Sequence, residues 1–276
     1  MKSEFRVYDS VHEFCSADIA PIDDVFDRMG RGWAGNRNFA KSREYFLAGA
    51  SEAETKPARD LLDAIDVEVH GHKGGVWAPS VQGAFPCVHD WLIGSPTAMR
   101  SKVQEETECA PVRVVLNITV AQGVNQHTIA HRAAAAAAFA MKLSEHRPVE
   151  LWAAVAARND RNMTDCGFRI KLDMPLNLSQ VMAAFNPSVC RRLAITYCHT
   201  FSEGAPNEFN YTFNCGGVSP YTNRDKFVRN MRAALKLGDD DIVLDAGILT
   251  DVQQIDHNPV QWVKDMLAKY GEQIDD

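Results

Sequence analysis

The stretch Pro111-Val112-Arg113-Val114-Val115-Leu116-Asn117-Ile118-Thr119-Val120, running on into Ala121-Gln122-Gly123-Val124-Asn125-Gln126-His127, decides the fold. Val112, Val114, Leu116, Ile118 and Val120 fall on one face of an extended chain and Val115 on the other. That spacing predicts a strand buried on both sides. The polar turn 121–126 leads into a helix predicted over 127–145, halted by Arg147-Pro148 because proline donates no N–H and its ring clashes with the preceding turn. Six alanines, Ala133–Ala138, combine the best helix propensity with no bulk, so this helix can lie close against a sheet. Residues 149–157 read as a second strand. Strand, helix and strand in this order form a right-handed crossover with parallel strands.

Working outward, the pattern repeats. Phe168, Ile170 and Leu172 alternate with Arg169, Lys171 and Asp173, which gives a strand with one wet face and places it at a sheet edge. A helix over 178–185 capped by Asn177, a short helix to 193, a strand over 194–199, a helix over 225–237 and a strand over 242–244 follow. The last helix has Asn258 as cap, Pro259 in its first turn, an apolar stripe of Trp262, Val263, Met266, Leu267 and Tyr270, and Gly271 as its stop. Towards the N-terminus, a strand near 5–8 precedes a helix capped by Ser10 and Glu13, a loop-like stretch holds Trp33 as an anchor, and helices cover 39–48 and 58–65. The turn-rich segment 69–86 reads as loop or hairpin, and 88–93 as a short helix. The expectation is thus α/β: an open, mostly parallel, Rossmann-like sheet with helices on both faces over 111–276. A small helical and loop-rich region over 1–110 packs on it.

Composition sets outer limits. With 46% hydrophobic and 24% charged residues the 276-residue chain is globular rather than disordered. Its 36 acidic against 29 basic side chains, a net −7, repel phosphates, so general nucleic-acid binding is not expected. Seven cysteines, an odd count without a C-x-x-C pair, point to reduced thiols in a cytoplasm. Met1-Lys2-Ser3-Glu4-Phe5-Arg6 lacks the apolar core of a signal peptide. The longest apolar helical run, near 133–141, is about half the ~20 residues a membrane span needs, so no membrane association is expected.

Several short pieces carry a resemblance: Trp33-Ala34-Gly35-Asn36 followed by Phe39, Gly94-Ser95-Pro96-Thr97-Ala98-Met99, Arg147-Pro148-Val149-Glu150-Leu151, and Pro187-Ser188-Val189-Cys190-Arg191-Arg192-Leu193. In these the chain resembles an uncharacterised family found in bacteriophages and prophages, which implies a setting, the host cytoplasm, and no mechanism. The 111–199 region is also loosely similar to the central β-α-β of a von Willebrand factor A-like domain. That fold commonly carries a metal site built from D-x-S-x-S after its first strand. The corresponding Asn117-Ile118-Thr119-Val120-Ala121-Gln122-Gly123-Val124-Asn125 has neither the Asp nor the serine pair, so that site is missing.

Open α/β sheets bind ligands beyond the carboxyl ends of their strands, where helix N-termini present free N–H groups. The best-placed polar residues are therefore Gln122, Asn125, Gln126, His127 and His131. Histidines four apart share a helix face, a spacing that suits a divalent ion. Residue 128 is threonine, however, where a zinc-peptidase helix has its glutamate base. Against the ligand reading stands a plain one, in which Asn125 caps the helix and the histidines pack or face solvent. Gln122, Asn125, His127 and His131 are taken as a candidate ligand site with no metal assigned.

Other pieces are weaker. His70-Gly71-His72, joined by His89 or Asp90, has metal-like spacing but reads as a turn. Cys198 and His199, adjacent on the expected strand, would face opposite ways and could not pair. Asp239-Asp240-Asp241 reads as a solvated turn, and Arg191-Arg192 as a solvated pair able to meet phosphate. No dinucleotide or P-loop motif is present, so no cofactor is expected. The reading that follows is a non-enzymatic interaction or assembly protein with a protein partner from host or phage. The alternatives are a metal-dependent hydrolase or nuclease using histidines, and a nucleotide or phosphate sensor at 121–127.

Overall fold

The computed structural model describes residues 3–29, 33–65, 75–80, 85–86, 91–92, 95, 97–104, 111–118, 124–145, 148–159, 164–173, 175–201, 232–233, 235–239, 241–244 and 249–271. The chain divides into two compact units, Met1–Val67 with Pro111–Asp276, and Glu68–Ala110. Within the smaller unit, β2 (Gly75–Ser80), β3 (Phe85–Pro86) and β4 (Met99–Gln104) form an antiparallel sheet in the order β2-β4-β3. The loop-or-hairpin segment thus supplies two of its strands.

The larger unit is α/β, with helices around a five-stranded, mostly parallel sheet in the order β1-β7-β6-β5-β8. Its strands are β1 (Ser3–Tyr8), β5 (Val112–Asn117), β6 (Val149–Asn159), β7 (Thr164–Lys171) and β8 (Ile242–Leu244). β5 runs parallel to both β6 and β8, β1 runs parallel to β7, and β6 and β7 form the antiparallel pair. As its two-sided apolar pattern predicts, β5 is buried on both faces, with only Arg113 half-buried. Val115, Trp152, Ala154, Val243 and Leu235 cluster on one side of the sheet.

β1 belongs to this sheet, although the sequence places it in the N-terminal region. Phe5 lies opposite Gly167 and Tyr8 opposite Ile170. A Cβ on Gly167 would come within 2.4 Å of the Val155 carbonyl oxygen and 3.0 Å of the Phe5 ring, so glycine is what lets Phe5 cross here. With β1 on its outer side, β7 is not an edge strand, contrary to expectation. Its polar alternation serves an ion-pair ladder. Lys171 pairs with Glu150, Glu150 with Arg113 at 3.2 Å, and Arg113 with Asp241 at 3.1 Å. Arg169 lies over the Trp152 ring at 4.7 Å.

Local capping explains most helix starts. In α1 (Val11–Ser16) the Glu13 N–H donates to Ser10 Oγ at 3.0 Å, while the Glu13 carboxylate accepts from Asp9 N–H. α2 (Asp23–Met29) forms in the stretch read as loop-like. Asp23 and Asp24 suit its positive N-terminal end, and Phe26 is buried. α3 (Phe39–Ala48) runs from the Asn38 cap to Gly49, whose φ of 82° is open to glycine. α4 (Glu52–Ala64) begins well before residue 58. Ser51 and Glu54 form a complete capping box, which holds the first turns in helix despite Pro57.

α5 (Gln126–Ser144) is the predicted long helix, capped by Asn125. α6 (Leu178–Phe185) is capped by Asn177 and leads into a π-helical turn, Ser188–Leu193. Next comes α7 (Ala194–Phe201), a helix where a strand is expected. Ile195, Thr196, Tyr197 and Cys198 favour strands locally, yet residues 194–199 are all buried. A helix closes its own backbone hydrogen bonds while burying every side, and tertiary burial outweighs propensity here. α8 (Leu249–His257) and α9 (Pro259–Gly271) follow β8. At their junction the Gln261 N–H donates to Asn258 Oδ1 at 3.1 Å, as the cap predicts. The expected helix over 225–237 falls largely outside the described residues. No helix among them is long and apolar enough to cross a membrane.

Candidate functional site

The first turns of α5 stand just past the carboxyl end of β5. The Asn125 carboxamide accepts from Thr128 N–H at 2.8 Å and so acts as the helix cap. His127 and His131, one turn apart, point the same way, with ring centroids 4.0 Å apart and planes inclined by 55°. Beside them lies Asp256, in the last turn of α8. Its Oδ1 is 3.2 Å from His131 Nδ1, and its Oδ2 accepts from Thr128 Oγ1 at 3.0 Å. One donor atom from each of His127, His131 and Asp256 lies within 4.8 Å of the other two. His127 and Asp256 are exposed and His131 is about one-third exposed.

The backbone beneath this cluster is firmly held. Thr128 and Ile129 of α5 are buried, and fully buried Ile255 packs α8 down beside it. Successive helical residues project about 100° apart, so burying Ile255 brings Asp256 to the flank facing α5. Asp256 is the member sequence reasoning missed. Nothing in Leu249–His257 marks a ligand, and 125 residues separate Asp256 from His131.

The remaining candidates have other duties. Cys198 and His199 sit in a buried helix, so the strand geometry used to separate them does not apply. Arg191 and Arg192 are buried, not a solvated pair. The Arg191 guanidinium lies over the Trp33 ring and donates to the carbonyls of Trp33 and Val124. Arg192 pairs with Asp23 and lies over Phe26. Trp33 is an anchor, as the sequence suggests. Asp241 is likewise no solvated turn residue. It is buried, accepts from Arg113, and takes the Gly238 N–H at 2.8 Å. Gln122, His70, His72, His89, Asp90 and Asp240 lie outside the described residues. Among those described, Cys15, Cys190 and Cys198 are buried thiols outside any disulfide, and burial pushes the Cys15 and Cys190 thiols up to about 12, which makes them inert as nucleophiles.

Burial also pushes the His199 imidazole below its usual value. A base depressed in the folded state binds more protons when unfolded. Its contribution is therefore intact above about pH 6.5 and is lost as pH falls below that. Urea unfolding at pH 7.5 and pH 5.5 should show wild type losing more stability on acidification than His199→Gln. Equal losses in the two proteins would mean that His199 takes up its proton as freely folded as unfolded.

The family described as "Domain of unknown function (DUF7192)" matches residues 2–273. No curated protein and no solved structure matches the chain. Since the family match runs through β1, both compact units and α9, the chain as a whole belongs to the DUF7192 family.

Proposed function

We propose that this chain works by binding rather than turnover, as an interaction or assembly module whose contact point is the corner formed by α5 and α8. The observation that carries the reading is a contrast in placement. His127, His131 and Asp256 stand together on an accessible rim, whereas Cys198, His199, Arg191, Arg192 and Asp241 are buried in the framework. Groups that bind a partner must be reachable, and reachable polar groups on a firmly packed helix lose little freedom on binding. The short pieces that resemble phage and prophage proteins favour a phage-encoded role in the host cytoplasm, with a host or phage protein as partner. The parallel β5–α5–β6 crossover fits a von Willebrand factor A-like core. The same rim also favours a second reading, a metal-dependent hydrolase or nuclease using these histidines. A phosphate sensor at 121–127 is less well supported, because Asn125 already takes the Thr128 N–H.

Two measurements test the proposal together. The purified chain, with added Mn²⁺ or Zn²⁺, is assayed on bis(p-nitrophenyl) phosphate and plasmid DNA, and turnover above the metal-only blank is not expected. Immobilised chain is then compared with the His127→Ala/His131→Ala variant for retention of proteins from host lysate. A stoichiometric partner held by the native chain and lost from the equally stable variant is expected. Turnover abolished by the double change would replace this reading with the hydrolase. A partner held equally by both proteins, or held by neither, removes the rim as contact point.

A further inference from the structure

We infer that the α5–α8 corner is a site for a divalent transition ion of borderline softness, such as Zn²⁺, Co²⁺ or Ni²⁺, held by His127, His131 and Asp256. The inference rests on the rim named above and specifies what it takes. Tetrahedral zinc with bonds of about 2.0–2.1 Å sets its ligands roughly 3.3 Å apart. His131 Nδ1 and Asp256 Oδ1 are already 3.2 Å apart, and all three donor atoms fall within 4.8 Å of one another. The gap left to close is within reach of rotation about the exposed His127 side chain. The two histidines need no backbone movement, because they occupy successive turns of a 19-residue helix whose interior is buried.

The carboxylate is also prepared. Buried Thr128 donates its hydroxyl to Asp256 Oδ2 at 3.0 Å, which fixes the carboxylate plane and leaves Oδ1 turned towards the histidines. A hydrogen bond to the far oxygen of a ligating carboxylate is the usual support around protein metal sites. Two imidazoles select against Mg²⁺ and Ca²⁺, which prefer oxygen-only shells, and favour the later first-row ions. Three protein donors leave a fourth position for water or for a group from a partner. These ligands are side chains of two helices. They share nothing with the serine-and-aspartate loop motif whose absence the sequence makes plain. The competing account is an ordinary His131–Asp256 ion pair with His127 merely stacked beside it, and the two differ over whether His127 matters.

Chelator-stripped full-length chain is titrated with Co²⁺ and followed by visible absorption, with Zn²⁺ and Mg²⁺ as competitors. One Co²⁺ per chain is expected, with the intense d–d bands of a four- or five-coordinate ion and no thiolate charge-transfer band. Zn²⁺ should displace it and Mg²⁺ should not. Thr128→Val should weaken binding by about 10-fold, the low end for a residue supporting a ligand. His127→Ala, His131→Ala and Asp256→Ala should each weaken it beyond about 100-fold, more than such a support, with melting unchanged for the exposed His127. Undiminished Co²⁺ binding in His127→Ala, a thiolate band, or only the weak spectrum of an octahedral ion overturns the site. The two proposals can fail separately. Partner retention that survives stripping, with no Co²⁺ bound, ends the metal site and leaves the binding role. Co²⁺ bound as described, with no partner retained, does the reverse.

Discussion

Replacing Phe14 by alanine is expected to cost about 3–5 kcal/mol of unfolding free energy, the range for a buried aromatic ring truncated in a core. Phe14 is 1% exposed. Its ring stacks on Tyr197 with centroids 3.9 Å apart and planes inclined by 20°. The rings of Tyr8 at 5.2 Å, Phe168 at 5.1 Å and Phe46 at 6.0 Å complete its surroundings. These neighbours come from β1, β7, α3 and α7, so one side chain joins the N-terminal helices to the sheet. Collapse into the vacated space is blocked. Tyr197 is fixed by its hydroxyl, which donates to the Phe14 carbonyl and accepts from Arg43 at 3.0 Å. Urea denaturation followed by far-ultraviolet circular dichroism measures the loss, with Val7→Ala at a half-exposed position as control. A change under 1 kcal/mol for Phe14→Ala would mean that the aromatic cluster does not tie α1 to the sheet.

Enlarging Ala137 to leucine is expected to cost about 1–3 kcal/mol through overpacking. The sequence suggests that the alanines of α5 form one face laid on the sheet. The structure extends this, since Ala133 through Ala138 are all buried, as are Phe139 and Ala140. Six consecutive residues at about 100° each pass more than once round the helix. α5 is accordingly enclosed, with α4, α6, α8 and α9 as well as β6 against it. Neighbours on that many sides fit only where side chains are small, and no rotamer of leucine at 137 finds free volume. The midpoint of guanidinium unfolding should fall with the slope unchanged. An unmoved midpoint would mean that position 137 has room, contrary to its zero exposure.

Both results bear on the rim, because the positions of His127 and His131 follow from how tightly α5 is held. If Ala137→Leu also weakens Co²⁺ binding, the helix shifts as one body. If stability drops and the metal affinity stays, the N-terminal turns are held independently by Asn125 and Thr128.

Some of this architecture is local and can be read along the chain. β5 announces itself because a strand buried on both faces, with five of its six residues buried, draws apolar side chains in both phases of the alternation. The Asn125, Asn177 and Asn258 caps and the Gly49 stop are readable because a helix end must satisfy its own N–H and C=O groups within a few residues. The pairing of His127 with His131 follows from helical period alone. What the tertiary structure decided is where chain neighbours cannot reach. Residues 194–199 became helix because complete burial rewards a backbone that bonds to itself. β7 became an interior strand because β1, more than 150 residues earlier, lies against it through Gly167. Arg191, Arg192 and Asp241 left the surface because partners distant in sequence received them. Asp256 meets His131 only because Ile255 packs α8 beside α5. A spacing of 125 residues carries no periodic signal, and contacts of that kind are set by packing alone.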